Sequence, residues 1–192
     1  MEHENQPALE RGDGKTDAGR IHTQVTMELA KFYTQFLDAL NAHEVEYLVV
    51  GGQAVNFHGY TRATLDMDVW INKSEKNLQN LEHAFVAMGY EISKSRAAVT
   101  YFAEHHKINL PKEQNLIEVL DATILKSDFQ AAFKNRIKGS VDETPFFVID
   151  LQTLLKVKTG SSRLQDLNDV EKLKQINFGE DASEPEEGYA LE

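Results

Sequence analysis

The sequence of 192 residues contains no cysteine, only four prolines and a single tryptophan. Without cysteine the chain can form no disulfide framework, no cysteine-ligated zinc site and no thiol nucleophile, and this composition fits a reducing compartment. No stretch approaches the roughly 20 apolar residues needed to cross a bilayer, and the N-terminus shows no apolar signal region. These absences predict a cytoplasmic protein that has no membrane partner.

Positive charge is also scarce, because 20 Lys and Arg residues stand against 31 Asp and Glu residues, giving a net charge of -11. The imbalance is concentrated near the C-terminus, where residues 178–192 hold six acids and no base. Both ends are polar and poor in aliphatic residues. We therefore predict disordered tails over residues 1–25 and 178–192 and one domain over residues 26–177. The domain carries no basic stripe, which argues against a long nucleic-acid footprint but does not exclude contact with a tRNA end.

Several segments have the apolar spacing that is typical of helices. They are residues 26–43, 74–89, 127–137, 150–159 and 162–176. Ser74 and Asp150 are candidate N-caps, and Gly89 is a residue at which a helix is expected to stop. A further short helix of one or two turns is expected after Gly52.

Other segments are short, apolar or alternating, as is typical of strands. They are residues 47–50, 65–71, 90–93, 99–103, 106–110, 115–122 and 145–149. Because predicted strands and helices are interleaved along the chain, the fold class is predicted to be α/β or α+β.

The strand predicted over residues 65–71 carries two carboxylates on one face. Residues i and i+2 of a strand share a face and lie roughly 6.5–7 Å apart, so Asp66 and Asp68 are expected to project side by side, with Trp70 beyond them. Two such anions repel each other unless a cation joins them, and Mg²⁺ is commonly held by one or two carboxylates together with substrate phosphates. The alternative is that both aspartates lie on the solvent face of an edge strand, because this short motif is common by accident.

A glycine pair, Gly51-Gly52, follows the apolar strand predicted over residues 47–50. Glycines at this place let the backbone bend sharply, bring amide groups close to a ligand, and direct the following helix at a phosphate. A tight turn explains the pair equally well when it is considered alone. The succession of strand, glycine pair, short helix and Asp-x-Asp strand is a stronger indication of a site for metal and phosphate.

Two motifs together resemble one protein family. The first runs through Gly51-Gly52, His58-Gly59, Arg62, Thr64 and Asp66-Met67-Asp68. It resembles the nucleotidyltransferase superfamily built on the DNA polymerase beta fold, in the small bacterial branch related to abortive-infection toxins. The second motif, "LLKVKTGSSRLQDLNDVEKL", resembles the closing segment of that family through Lys156, Lys158, Arg163, Asp166 and Asp169. The resemblance covers roughly residues 26–175 and implies a small mixed sheet flanked by helices, with the C-terminal helices packed on it.

The resemblance also implies a set of functional residues. Asp66 and Asp68 would bind Mg²⁺, or Mn²⁺ in its place, together with Glu118 of the later strand, and the same three acids would be catalytic. Many relatives have Asp where this chain has Glu118, and Asp121, three residues further on, is the alternative third acid. The residues implied to contact the nucleotide are Gly51, Gly52, Arg62, Thr64, Lys158 and Arg163.

The implied function is transfer of an NMP group from an NTP such as ATP to an acceptor hydroxyl on a tRNA, a protein or a small molecule. An alternative is an inactive nucleotide-binding or partner-binding module of the toxin-antitoxin type, with a cognate protein partner. A third is an Asp-x-Asp glycosyltransferase. This last hypothesis explains the carboxylate pair but not the glycine pair, the later acid or the closing helices.

Single residues leave alternatives open as well. Arg62 either contacts phosphate or pairs with Asp166, and Trp70 either walls the site or fills the core. Lys158 and Arg163 could be ordinary solvated charges at a helix boundary, with Asp166 capping the helix or pairing with Arg163. His58 is expected to be a packed or capping histidine, and His105-His106 a surface pair in a loop.

Overall fold

The computed structural model of the protein describes residues 17–110 and 116–179. Within these ranges the chain forms a mixed sheet of six strands. The strands are β1 (Tyr47–Val49), β2 (Met67–Ile71), β3 (Lys107–Leu110), β4 (Ile117–Leu120), β5 (Ile137–Val141) and β6 (Thr144–Val148). Their order across the sheet is β3-β4-β2-β1-β6-β5. β2 runs parallel to β4 and β1 parallel to β6, whereas the other neighbours are antiparallel.

Helices flank this sheet. They are α1 (Asp17–Ala42), α2 (Gly51–Phe57), α3 (Glu75–Ala87), α4 (Ile92–His105), α5 (Ala122–Leu125), α6 (Phe129–Lys134), α7 (Leu151–Thr159) and α8 (Leu164–Phe178). Helix α1 packs on α3 and β6, α3 on α4, and α7 on α8. The predicted α/β (α+β) class, with a mixed sheet between helices, is confirmed. In the described part of the chain, no helix has both the length and the apolar character that a membrane span requires.

The predicted helix caps are present. The Ser74 side chain accepts a hydrogen bond from the backbone N–H of Asn77, and Asp150 accepts one from Thr153. Gly89 follows the last turn of α3 with a φ of 93°, a conformation that glycine adopts without steric cost. Local sequence chemistry therefore sets where α3 begins and ends and where α7 begins.

One face of the central strands changes from apolar to acidic along its length. The register places Trp70 beside Leu120 and Asp68 beside Glu118, so all four side chains share a face. Trp70 is fully buried and meets the ring of Phe129 edge-on at 5.2 Å between centroids. Trp70 therefore fills the core, and the acidic end of the same face is left for a site.

Two predicted strands, over residues 90–93 and 99–103, are wrong, because this segment forms α4. Ser95, Val99 and Phe102 are its buried residues, and their spacing is that of one helix face. The β-branched and aromatic residues near 99–102 favour a strand locally, but packing of α4 on α3 and β3 outweighs that preference.

The starts of three elements also differ from the predicted ones. Helix α1 begins at Asp17, inside the tail predicted for residues 1–25, and Ile21 and Val25 continue the four-residue apolar spacing toward Leu29. Helix α2 begins at Gly51, so the glycine pair forms its first turn. Strand β2 begins at residue 67, which leaves residues 65 and 66 ahead of it. The remainder of the predicted tails, residues 1–16 and 180–192, lies outside the described residues.

Two short elements were not predicted. Strand β5 is an edge strand whose residues are mostly exposed, so it lacks the apolar alternation that identifies a strand. It pairs with β6 through a turn in which Asp142 has a φ of 52°. Helix α5 is a single turn that follows Asp121, whose side chain accepts a hydrogen bond from the N–H of Thr123.

Candidate active site

Gly51 lies directly against the carboxylate of Asp68. It has a φ of 60°, and a Cβ atom built on it would overlap the Asp68 side chain. The adjacent Val50 donates a backbone hydrogen bond of 2.9 Å to the carbonyl oxygen of Asp68. Both the backbone conformation and the close approach require glycine at this position.

Gly52 makes an equally close contact with the segment that carries the first aspartate. A Cβ atom at Gly52 would lie 2.5 Å from Oγ1 of Thr64. The Thr64 hydroxyl in turn donates a 2.8 Å hydrogen bond to Oδ1 of Asp66. The glycine pair therefore brings the start of α2 against both aspartate-bearing segments, a role that the sequence pattern alone did not reveal.

Two carboxylates lie on neighbouring strands at the acidic end of the sheet face, and a third precedes one of these strands. Asp68 on β2 and Glu118 on β4 are register partners, and Asp66 immediately precedes β2. Burial raises the pKa of Asp68 to about 6, and the charge of Asp66 adds to this effect. Lys158, Lys107 and Arg163 act in the opposite direction on the same carboxyl group. Burial therefore disfavours the charged form of Asp68, and the nearby cations offset this effect only in part.

Asp121, the alternative third acid, lies in a different environment. Its Oδ2 is 2.9 Å from Nζ of Lys73 and 2.7 Å from Nδ1 of His106. Burial opposes ionisation of Asp121, but hydrogen bonds from Lys73 and His106 outweigh it and lower the pKa of Asp121. The structure therefore places Glu118, and not Asp121, beside Asp68.

A cleft of about 690 Å³ opens over this acidic end. Asp68, Glu118 and Gly51 form part of its wall. Other parts of the wall are basic or apolar. The basic residues are Lys107, Lys126, Lys156, Lys158 and Arg163, and the apolar ones include Leu120, Ile124, Leu125, Ile149 and Leu154. Such a cleft, with anions on one wall and cations on another, suits a ligand that carries both a metal and phosphates.

A buried charge network supports the basic wall. Nζ of Lys158 lies 2.7 Å from Asp166 and 2.8 Å from Asp169, and the Lys158 side chain is almost fully buried. Arg62 makes a two-pronged contact with Asp169, at 2.8 Å and 3.0 Å. Ser161 donates a 2.7 Å hydrogen bond to Asp166. Buried charges require such pairing, and the network ties α7, α8 and the segment before β2 together.

Only some of the residues predicted to contact the nucleotide therefore lie together in the cleft. Gly51, Lys158 and Arg163 line the cleft, whereas Gly52 and Thr64 adjoin it. The guanidinium of Arg62 is engaged by Asp169, so of the two alternatives left open for Arg62 the pairing with Asp166 is not formed. Asp166 pairs with Lys158 rather than with Arg163.

The histidines take structural positions. Nε2 of His58 donates a 2.8 Å hydrogen bond to the carbonyl oxygen of Ile149, as expected for a packed histidine. The expected surface pair in a loop is wrong. His105 ends α4 and stacks on Tyr101 with ring centroids 3.9 Å apart, and His106 pairs with Asp121.

Sequence reasoning missed Lys107, which forms an ion pair with Glu118. Its position in a predicted strand indicated that it lies in the sheet, but only the pairing of β3 with β4 places it next to Glu118. Among residues 17–110 and 116–179, no group of three or more His, Cys, Asp or Glu side chains is arranged to hold a metal ion. Asp68 and Glu118 are register partners, but Asp66 is exposed ahead of β2 and the Glu118 carboxylate is engaged by Lys107.

No protein-family model matches the sequence, and no curated protein matches it. Among solved structures, the chain is similar to an antigenic nucleotidyltransferase-like protein from Paracoccidioides brasiliensis, with 13% sequence identity and a TM-score of 0.49. The match covers 78% of this chain and 76% of that chain. Similarity at this level carries no conclusion about family or function, which must come from the geometry of the site.

Proposed function

We propose that the protein is a metal-dependent nucleotidyltransferase that transfers an NMP group from an NTP to an acceptor hydroxyl and releases pyrophosphate. The observation that carries the proposal is the register pairing of Asp68 with Glu118 on adjacent parallel strands, in a cleft that is also lined by five basic residues. Asp66 adds a third carboxylate one residue ahead of β2. Carboxylates beside cations are what a metal-bound triphosphate requires.

The donor groups fit a hard divalent cation. All three side chains supply oxygen only, and Mg²⁺ is usually held by one or two carboxylates together with phosphates. The raised pKa of Asp68 is a sign that its charge lacks sufficient compensation from the protein. Asp66 and Asp68 would hold Mg²⁺ or Mn²⁺, and Glu118 would join them after leaving Lys107. The bound ion would neutralise triphosphate charge during displacement.

The chain's own residues would then divide the remaining tasks. Arg163 and Lys158 would face the phosphates from the basic wall, where positive charge stabilises the charge that develops during transfer. Glu118 would orient the acceptor hydroxyl and accept its proton. Gly51 would keep the Asp68 carboxylate in place through its close backbone contact.

A second candidate is nucleotide binding without transfer. It is favoured by the ion pair between Lys107 and Glu118, because this contact occupies the carboxylate that transfer would need. In that case the cleft would bind nucleotide for regulation or for a cognate protein partner. The relation to abortive-infection toxins stays a prediction.

Calorimetric titration of each NTP in the presence of Mg²⁺ tests the proposal. An Asp66→Asn/Asp68→Asn variant is expected to lose metal-dependent NTP binding. The matched control is Asp142→Asn/Glu143→Gln, which removes two exposed acids from the β5–β6 turn and should bind NTP as the unmodified protein does.

Labelled NTPs then separate the two candidates. Incorporation of label into an acceptor supports transfer, whereas NTP binding without incorporation across a panel of tRNA, protein and small-molecule acceptors favours the second candidate. Equal NTP binding by the protein and its Asp66→Asn/Asp68→Asn variant would contradict both. Consumption of a sugar nucleotide instead of an NTP would indicate the glycosyltransferase.

A further inference from the structure

Lys107 reaches a cleft carboxylate from the edge of the sheet. It lies on edge strand β3, where the register places it opposite Leu120 and places Asn109 opposite Glu118. The Lys107 side chain therefore extends diagonally across the strand pair to meet the Glu118 carboxylate. Of the two side chains, Lys107 is 46% exposed and Glu118 is 21% exposed. This ion pair is open to solvent, and such pairs break at little cost.

Lys107 is much more exposed to solvent than Lys158, the other lysine of the cleft that forms ion pairs. Lys158 is nearly buried and is fixed between Asp166 and Asp169, so its charge is balanced by two carboxylates and its position is set by the fold. Lys107 has an exposed stem and three rotatable donors at its tip. It is therefore the lysine that can change partners without disturbing buried charges.

The Lys107 ammonium also occupies a place that the metal needs. Its charge acts on Asp68 as well as on Glu118, so it partly compensates the acids that the proposed function assigns to the metal. An ammonium and a divalent cation repel each other, and the two cannot share one carboxylate without cost. The phosphates of an NTP offer Lys107 an alternative anion inside the same cleft.

We propose that Lys107 is a tethered cation that holds Glu118 in the nucleotide-free protein and moves to the NTP phosphates when metal and nucleotide bind together. This inference rests on the proposed function and adds to it that binding of the metal depends on binding of the nucleotide. Free metal binds weakly because Lys107 competes for Glu118. The nucleotide removes the competitor, so metal and NTP bind cooperatively.

Mn²⁺ titration followed by electron paramagnetic resonance measures the competition directly and needs no catalytic activity. Lys107→Met keeps an apolar stem of similar length and removes the charge, and it is expected to bind Mn²⁺ about fivefold more tightly in the absence of nucleotide. Lys107→Arg keeps the charge and should bind as the unmodified protein does. Lys138→Met is the matched control, because Lys138 lies on the opposite edge strand, β5, outside the wall of the cleft.

Calorimetry with ATP and Mg²⁺ gives the second readout. Lys107→Met is expected to bind ATP about fivefold more weakly, because the phosphates then lack the Lys107 ammonium, which leaves Glu118 to contact them in the unmodified protein. A higher metal affinity together with a lower ATP affinity is the pattern that a purely structural ion pair would not produce. Thermal melts of the Lys107 variants should stay close to that of the unmodified protein.

The outcomes separate this inference from the proposed function. Equal Mn²⁺ affinity in the protein and in Lys107→Met, with binding still lost in Asp66→Asn/Asp68→Asn, overturns the inference and leaves the proposed function standing. Higher Mn²⁺ affinity with unchanged ATP affinity also overturns it, since Lys107 then never reaches the phosphates. Absence of Mn²⁺ binding from every variant, Lys107→Met included, overturns both.

Discussion

The backbone of Gly51 and the carboxylate of Asp68 are in direct contact, and no larger residue fits at position 51. Two separate effects require glycine here. One is the φ of 60°, which other L-residues adopt with strain, and the other is the overlap that a Cβ atom would make with Asp68. The same contact connects the first turn of α2 to the candidate metal site.

Gly51→Ala is therefore expected to lower the free energy of unfolding by about 2–4 kcal/mol and to abolish NTP binding. Gly179→Ala separates the two effects, because Gly179 has a φ of 66° but nothing within 4 Å of its Cβ position. The free energy of unfolding of Gly179→Ala should fall by only about 1 kcal/mol, and NTP binding should be kept. Urea unfolding and calorimetry measure both quantities. Equal losses in the two variants would show that contact with Asp68 is unimportant.

Asp68 gives the metal-free protein a pH-dependent stability. Its pKa is raised from 3.8 to about 6, so the native state binds this proton more tightly than the unfolded state. The stabilising contribution of the protonated carboxyl is complete below about pH 4 and is lost as the pH rises through about 6. Near pH 7 the buried carboxylate therefore opposes folding.

Asp68→Asn is expected to be more stable than the unmodified protein by about 2 kcal/mol near pH 7 in a chelating buffer, and the difference should vanish near pH 4. Urea unfolding across this range measures it, and comparison of the two proteins cancels the titration of shared groups. Asp121→Asn should behave oppositely. The pKa of Asp121 is lowered, so its carboxylate stabilises the fold at neutral pH and this contribution is lost as the pH falls. A stability difference for Asp68→Asn that does not vary with pH would argue against a raised pKa.

Glu118 and Asp121 lie three residues apart in one chain segment but are expected to have separate roles. Glu118→Gln should retain the fold and lose NMP transfer, because it removes the charge beside Asp68. Asp121→Asn should lose about 1–3 kcal/mol of stability, because Lys73 and His106 lose their shared anion, yet it should retain NTP binding. Thermal melts, NTP titrations and incorporation of label from NTP, measured on both variants, distinguish these outcomes. The reverse pattern would make Asp121 the third acid.

Asp169 is the centre of the buried charge network and is fully inaccessible to solvent. Asp169→Asn is expected to cost about 3 kcal/mol of stability, because Arg62 would lose its carboxylate partner and Lys158 would keep only Asp166. Glu91→Gln is the matched control, since it breaks an exposed pair with Lys94 and should change stability by less than about 0.5 kcal/mol. Urea unfolding compares the two. A similar small loss in both would mean that the network contributes little.

The sequence by itself determined the elements that local chemistry specifies. Ser74 and Asp150 indicate where helices begin, because their side chains accept hydrogen bonds from free backbone N–H groups in the first turn of a helix. The apolar spacing of α1 and α8 and the alternation in β2 are similarly local. Composition and these patterns were enough for the α/β class and for selecting Asp66 and Asp68 as candidates, whereas Glu118 was selected only through the resemblance to a known family.

Only the tertiary structure decided which of these residues meet. The register of β2 with β4 places Glu118 beside Asp68, and pairing of β3 with β4 brings Lys107 to Glu118. Packing on α3 and β3 made a helix, α4, from residues that favour strands, and α8 brought Asp169 to Arg62 in the segment before β2, 107 positions away. Such contacts join distant segments, so they depend on burial and strand register, which no short stretch of sequence specifies.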